Sequence, residues 1–458
     1  MAGQGTNTNY VASNAIGLNH AGKAMWPNGG DGVEIAEADH NYVGGGGLKG
    51  NAISGNAKNG VSIHGPHAVG NQVVDSSIGL DVTGHRVVEN SENGIFVWDG
   101  AAETQIKNCT ISGNAFRGVE VSGVGTDGVL VWGCTIGLDA AEDDFLPNGL
   151  ALLKPNAVGV LYHSGPGRVQ VRNNRIHGRG AGVYCAGLSF TGPLAQLNEE
   201  NVIERNRIGY NVTGEVGNGG FGAVIEGSHA YFGENDVRGC QGGLALNYPR
   251  PEADPDCYVG VRGCKFRDND AHILFYDSAR GHLGEYGASV PWKRGENWFG
   301  ASRRAAVNSC RAKAGFTVKA ENNDWGTTVA AQIRGRLECP ANVDFDPIAG
   351  GVAPTGSGAS AVAAVTALAV QPTAAGAAIQ FTLAAEAAVT VSVANVAGRP
   401  VRALLEARPT GAGLQSVLWD GRADAGTRVP AGLYLVRVTA HGAQGGRSES
   451  VATVRLTR

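Results

Sequence analysis

A short unit recurs nine times before residue 270 of this chain. It is a small or amide residue, one variable position and an apolar residue: Asn14-Ala-Ile16, Asn51-Ala-Ile53, Ser76-Ser-Ile78, Cys109-Thr-Ile111, Cys134-Thr-Ile136, Asn174-Arg-Ile176, Asn206-Arg-Ile208, Asn235-Asp-Val237 and Cys264-Lys-Phe266. The steps between copies are 37, 25, 33, 25, 40, 32, 29 and 29 residues. Between copies lies a turn followed by an alternating strand, as in Asp31-Gly-Val-Glu-Ile35, Asn59-Gly-Val-Ser-Ile63, Asn93-Gly-Ile-Phe-Val97 and Arg117-Gly-Val-Glu-Val121. A third short strand precedes the amide unit, as in Gln105-Ile-Lys107 and Val169-Gln-Val171. Three such strands per ~30 residues cannot each bury an apolar face alone, whereas stacked coils bury a continuous core. The repeats therefore predict an all-β chain whose residues 1–350 form a right-handed parallel β-helix of about 10 coils. The 71 glycines, in no Gly-X-Y register, suit its regularly spaced turns.

The first position of the repeat has a mechanical reading. An inward amide in one coil can hydrogen-bond to its neighbours above and below, so Asn14, Asn51, Asn174, Asn206 and Asn235 are expected to form a structural ladder. Cys109, Cys134 and Cys264 take the same position as small buried side chains. No CxxC or Cys/His spacing points to metal binding by these cysteines.

A finer alternation doubles the period. Ile16-Gly-Leu-Asn19, Ile78-Gly-Leu-Asp81, Ile136-Gly-Leu-Asp139 and Ile208-Gly-Tyr-Asn211 each open a longer excursion. By register these loops leave one edge of the solenoid, a natural place for a ligand.

Residues 351–378 read as a small-residue linker and first strand, and residues 379–458 as a β-sandwich of short alternating strands. Trp419 and Tyr434 are expected in its core. Residues 351–458 hold nine Arg, no Lys and five acidic residues, leaving 28 basic against 36 acidic residues in 1–350. No basic run interleaves with aromatics, so a nucleic-acid partner is not expected, and no apolar run is long enough for a membrane span. The opening, MAGQGTNTNY, lacks signal-peptide regions and enters in mid-repeat, so a further N-terminal portion carrying an export signal is expected upstream. Oligomeric state has no signature here.

Over about residues 9–350 these motifs resemble bacterial extracellular parallel β-helix repeat proteins of the pectate-lyase-like superfamily. Glu321-Asn-Asn-Asp-Trp-Gly-Thr327 and Val343-Asp-Phe-Asp-Pro347 resemble the segments that close such solenoids, with Asp324 where Trp is more typical. Ala397-Gly-Arg-Pro-Val-Arg-Ala-Leu404, Trp419-Asp-Gly-Arg422 and Pro430-Ala-Gly-Leu-Tyr434 resemble the Ig-like domain of flagellar hook-capping proteins, related to type IX sorting modules. The resemblance implies an extracellular or cell-surface protein with the sandwich as attachment or export module. It does not fix the activity, because one rod carries many functions.

Lyases on this fold resemble one another in pairing calcium-binding Asp residues with a basic side chain on a sheet face. Ca2+ is accordingly the one cofactor considered, with Asp143, Asp144, Asp254 and Asp256 as candidate ligands. Residues 272–298 gather candidate catalytic groups, Asp277, Arg280, His282 and Glu285, beside aromatics suited to sugars, Tyr276, Tyr286, Trp292 and Trp298; a capping role for this stretch ranks ahead of catalysis. Cys310 and Cys339 bracket the closing segment and are candidates for a disulfide. The sequence ranks first a non-catalytic rod that binds a polysaccharide or other cell-surface component. The alternative is a polysaccharide lyase or glycoside hydrolase acting on an acidic polysaccharide. Carboxylates of perturbed pKa on one face would favour the enzyme, and a flat row of exposed aromatics the binder.

Overall fold

The structure, a computed structural model, describes residues 1–45, 50–151, 157–190, 199–216, 220–248, 258–277, 279–285, 288, 290, 293–346, 348, 365–373, 376–383, 387–395, 400–410, 413–424, 427–442 and 447–456. The chain divides into two compact units, Met1–Ala353 and Pro354–Arg458.

In the first unit the chain visits three parallel sheets in turn, once per coil. Sheet I has ten strands, from Tyr10–Val11 to Gly281–His282; sheet II has ten, from Ala15–Ile16 to Trp298–Phe299; sheet III has eleven, from Val33–Ala36 to Ser302–Asn308 and Leu337–Glu338. Each strand pairs in parallel with the equivalent strand of the next coil, and the handedness usual for parallel crossovers makes this a right-handed β-helix. The fold class read from the repeats is the one observed.

Register converts the sequence repeats into vertical stacks. Ile53, Ile78, Ile111, Ile136, Ile176 and Ile208 are fully buried one above another in sheet II. Each such side chain contributes about 1.5–3 kcal/mol by burial. Val237, Phe266 and Phe299 continue the stack, and Trp325 closes it with its ring 4.6 Å from that of Phe299. Phe345 packs edge-on against Trp325. The glycine of the turn unit has a steric cause: a Cβ at Gly60, Gly94, Gly118, Gly159, Gly182 or Gly222 would meet the next coil's glycine carbonyl oxygen at 2.5–2.7 Å.

The repeat's first residues occupy the turn between sheets I and II. Asn206 Oδ1 accepts from Asn174 N and Nδ2, both at 3.0 Å, while its own Nδ2 donates to Val171 O (2.9 Å) and Asn235 Oδ1 (3.0 Å). Asn51 Oδ1 likewise accepts from Asn14 N at 3.1 Å. The thiols of Cys109, Cys134 and Cys264 contact the preceding coil's carbonyls at Val73 (3.5 Å), Ile106 (3.6 Å) and Phe232 (3.3 Å). A second ladder, unforeseen, runs through Asn28, Asn56, Asn90, Asn114 and Asn148, with side-chain contacts of 2.8–2.9 Å. Asn297 and Asn323 extend the first ladder to the closing segment. Cys310 and Cys339 form a disulfide with a Cα–Cα distance of 5.1 Å.

The second unit holds two antiparallel sheets. One is ordered Val365–Pro372, Ala377–Leu383, Gly413–Trp419; the other Pro400–Thr410, Ala387–Asn395, Gly432–Gly442, Arg447–Leu456. Alternate residues of the strands, among them Ile379, Phe381, Val389, Val391, Val436 and Val438, are buried between them. Trp419 and Tyr434 lie in this core with rings 5.2 Å apart, and their polar tips are satisfied by the Arg422 and Pro430 carbonyls.

Candidate active site

Sheet III presents two outward rows of side chains. The period-2 strand sends the Val and Ile of each turn unit inward, so the residue between them and the one after face out. One row runs Glu34, Ser62, Phe96, Glu120, Leu161, Tyr184 and Val224; the other runs His64, Trp98, Ser122, His163, Ala186, Glu226, Asn247 and Tyr276. Phe96, Trp98, Tyr184 and Tyr276 are half-buried. Trp98 stacks on Phe96 at 5.5 Å and on His64 at 4.9 Å.

Carboxylates interrupt the aromatics and are held by neighbours one coil away. Glu120, buried, meets His163 Nε2 through Oε1 at 2.9 Å and Arg117 Nη1 through Oε2 at 3.3 Å. Burial pushes its carboxyl up, but the hydrogen bond from His163 and the charge of Arg117 outweigh this and hold it below the usual carboxylate range. Three coils further on, Glu226 Oε2 accepts from the Tyr184 hydroxyl at 2.6 Å and from Asn247 Nδ2 at 3.0 Å. Burial, and then Glu226, raise the Tyr184 phenol far above its ordinary value, so it remains a proton donor. A small cavity near the turn after this strand is lined mainly by core side chains, Ile225, Leu246, Tyr248, Val259 and Ala279, together with Asn247 and Arg280, and neither Tyr184 nor Glu226 lines it.

The candidates from residues 272–298 separate into small groups. Arg280 lines the small cavity near Asn247. Asp277 is exposed, with a left-handed backbone, and pairs with Arg311, whose guanidinium lies 5.6 Å from the Tyr276 ring centre. His282 is a buried residue of sheet I, 3.3 Å from Glu285, which also faces Lys293 at 3.9 Å. Burial lowers the His282 pKa, against the pull of Glu285. His272 is a core residue: burial pushes it down to about 4, and Nε2 donates to the Gly300 carbonyl at 3.0 Å. Trp298 ends sheet II, apart from Tyr276 on sheet III. Tyr286, Trp292, Asp254 and Asp256 lie outside the described residues.

The four excursions form one column. Each is a tight loop organised by its first side chain: Asn19 Oδ1 accepts from Lys23 N, Asp81 Oδ1 from Thr83 N and His85 N, Asp139 Oδ1 from Asp143 N and Asp144 N, and Asn211 Oδ1 from Glu215 N. Successive loops are joined by main-chain bonds, Val82 to Gly22, Ala140 to Gly84 and Val212 to Glu142. Oxygens of Asp139, Asp143 and Asp144 lie within 4.8 Å of one another, close enough to share a divalent cation. Asp139 is already engaged, through Oδ1 in the turn and through Oδ2 with His85 Nδ1 at 2.6 Å. The cluster is thus a turn-forming carboxylate with two exposed partners. Among the described residues no helix is long and apolar enough to cross a membrane.

The sheet III face was missed in the sequence, although its signal is present. Superposing the turn units at their glycines brings Glu34, Ser62, Phe96 and Glu120 into one column, and that column is the outward row.

Residues 368–444 match the family model of the FlgD Ig-like domain, so the second unit carries a C-terminal Ig-like domain. Among curated proteins none matches this chain. Among solved structures it is similar to the enzymatically active domain of tailspike protein 2 of bacteriophage CBA120, at 10% identity and a TM-score of 0.36, covering 98% of this chain and 71% of that one. It is also similar to full-length tailspike protein 2 of an Escherichia coli O157:H7 bacteriophage, at 12% identity and a TM-score of 0.30, covering 98% of this chain and 64% of that one. At these identities and scores the likeness assigns no residue a role. The non-catalytic rod ranked first in the sequence is withdrawn on the chemistry of the sheet III face. That face carries a buried carboxylate of perturbed pKa, Glu120, rather than a bare row of aromatics.

Proposed function

We propose that the solenoid is a polysaccharide-cleaving enzyme, a lyase or glycoside hydrolase, whose substrate lies along the outward face of sheet III. The observation that carries this reading is the pairing of Glu226 with Tyr184 and Asn247 on the outward face, in line with Phe96 and Trp98. Aromatic faces offer sugar rings stacking area, while the oriented carboxylate supplies acid–base chemistry. Glu226 is the proton-transferring group, Tyr184 and Asn247 position it, and Arg280 neutralises negative charge on a uronate or a developing oxyanion. Ca2+ enters only as a supplement in the assay, with Asp143 and Asp144 as the groups to substitute. The Cys310–Cys339 disulfide suits an oxidising compartment and supports an extracellular or surface location, with the Ig-like domain as attachment or export module.

The test is incubation of the full chain with neutral and uronate polysaccharides, with and without calcium, reading new reducing ends and unsaturated products. Unsaturated ends assign a lyase, and reducing ends without them a hydrolase. Glu226→Gln is expected to lower kcat by about 10²–10⁴-fold; a folded Glu226→Gln variant that cleaves at the full rate removes Glu226 from the mechanism.

A further inference from the structure

His163 stands between two polar atoms on the same face. Its Nε2 is 2.9 Å from Glu120 Oε1, and its Nδ1 is 2.8 Å from the Oγ of Ser164, the next residue in the chain. Glu120 is held ionised at neutral pH, and a carboxylate only accepts hydrogen bonds. The proton of the neutral ring therefore sits on Nε2, leaving Nδ1 bare toward the Ser164 hydroxyl, which donates to it. Carboxylate, imidazole and hydroxyl in this order form the connectivity that activates a serine for acyl transfer.

The surroundings suit that role. Ser164 is exposed, at the end of the strand Val158–His163, with φ +66°, a conformation L side chains rarely adopt. A methyl group built on Gly165 would meet Val124 Cγ2 at 2.8 Å, so the exposed Val124 side chain lies beside the serine turn, where an acyl chain would rest. The rows contain an internal comparison. Glu34 and His64 repeat the carboxylate–imidazole contact at 3.0 Å, but Gly65 follows His64, and the Glu34 side chain is 60% exposed against 10% for Glu120. Register explains the pair; it explains neither the added hydroxyl nor the buried carboxylate.

From this geometry we infer that Ser164, His163 and Glu120 form a serine acyl-hydrolase centre that removes O-acyl groups. The ester chemistry stands on the three residues alone; that the ester is borne by a polysaccharide rests on the reading above. Ser164 Oγ attacks the ester carbonyl carbon while its proton passes to His163 Nδ1. The carbonyl–alkoxy bond then breaks, and the alcohol leaves with that proton. Water, deprotonated by the same nitrogen, releases the acyl group as a carboxylic acid and restores the serine. Glu120 is a positioning residue, fixing the tautomer.

The full chain is assayed with p-nitrophenyl acetate and with an O-acetylated polysaccharide, reading nitrophenol and acetate, and is labelled with a fluorophosphonate whose site is mapped by mass spectrometry. The expected results are a label on Ser164 and ester turnover that falls about 10²–10⁴-fold in Ser164→Gly. That variant keeps its thermal midpoint, because glycine adopts φ +66° freely. Glu120→Gln is expected to lower kcat and alter its pH profile with KM little changed. Turnover at the full rate in Ser164→Gly overturns the inference, as does folded wild-type protein showing neither label nor ester hydrolysis. Chain cleavage is read on the same samples: acetate release without cleavage supports this centre and counts against Glu226, and cleavage without acetate release does the reverse.

Discussion

Replacing Asn206 by alanine tests whether the amide ladder holds the coils together. The side chain makes four contacts: two accepted from Asn174, at 3.0 Å each, one donated to Val171 O at 2.9 Å and one to Asn235 Oδ1 at 3.0 Å. Both Asn174 and Asn206 are buried, so water does not replace what is lost. Alanine leaves the Asn174 main-chain N–H without its acceptor, which costs about 1–3 kcal/mol, and forfeits bonds worth about 0.5–1.5 kcal/mol each at Val171 and between the amides. With three such bonds lost, the total is about 2.5–7.5 kcal/mol. Asn235 Oδ1 keeps the bond from the Asn206 main-chain N–H, which limits the damage to one side. Asn206→Cys restores a weak donor to the Val171 carbonyl, as Cys134 contacts Ile106, but no acceptor for Asn174; it is expected to cost about 1–3 kcal/mol. Urea unfolding followed by circular dichroism measures both, provided the slope is unchanged. An Asn206→Ala midpoint equal to wild type, or a cysteine variant no better than alanine, refutes the ladder as a source of stability.

Other expectations concern the core, the closing segment and pH. Gly94→Ala places a Cβ 2.6 Å from the Gly118 carbonyl oxygen and 2.6 Å from Ile111 Cγ2, and is expected to cost about 1–3 kcal/mol in the same titration. Reduction of Cys310–Cys339, which closes a separation of 29 residues, is expected to cost about 3–4 kcal/mol, read as a lower melting temperature in dithiothreitol. His272 has a folded pKa of about 4 against an ordinary 6.5. The unfolded chain therefore takes up the proton first, so stability is present above pH 6.5 and is lost as pH falls toward 4, by about 1 kcal/mol per unit. His272→Gln is expected to flatten that segment of the stability curve, and an unchanged slope would exclude His272 as its source.

The coil was legible because its causes are local and repeated. The inward Ile of sheet II, the glycine that makes room for the next coil's carbonyl, and the Asn or Cys in the following turn each recur at the same place, and each corresponds to one contact between coils. The disulfide was legible only as a candidate, since pairing depends on Cα distance. The second ladder, through Asn56, Asn90, Asn114 and Asn148, escaped notice because its members follow the Ile by differing offsets, at which local spacing carries no signal.

The outward face of sheet III was hidden for a different reason. Irregular segments draw attention as sites, and residues 272–298 are the irregular segment richest in titratable side chains, yet the structure scatters His272, His282 and Trp298 over three sheets. The outward rows of sheet III lie in the most regular part of the repeat, where Glu120 and Glu226 are single variable positions in otherwise ordinary strands. Their partners, His163 for Glu120 and Tyr184 for Glu226, are 43 and 42 residues away in the chain but one coil away in space. In a solenoid the chemistry of a face is a column rather than a motif, so it becomes visible only after the coils have been put in register. The same register that buries each Ile in sheet II brings each of these carboxylates to a partner on the neighbouring strand of sheet III.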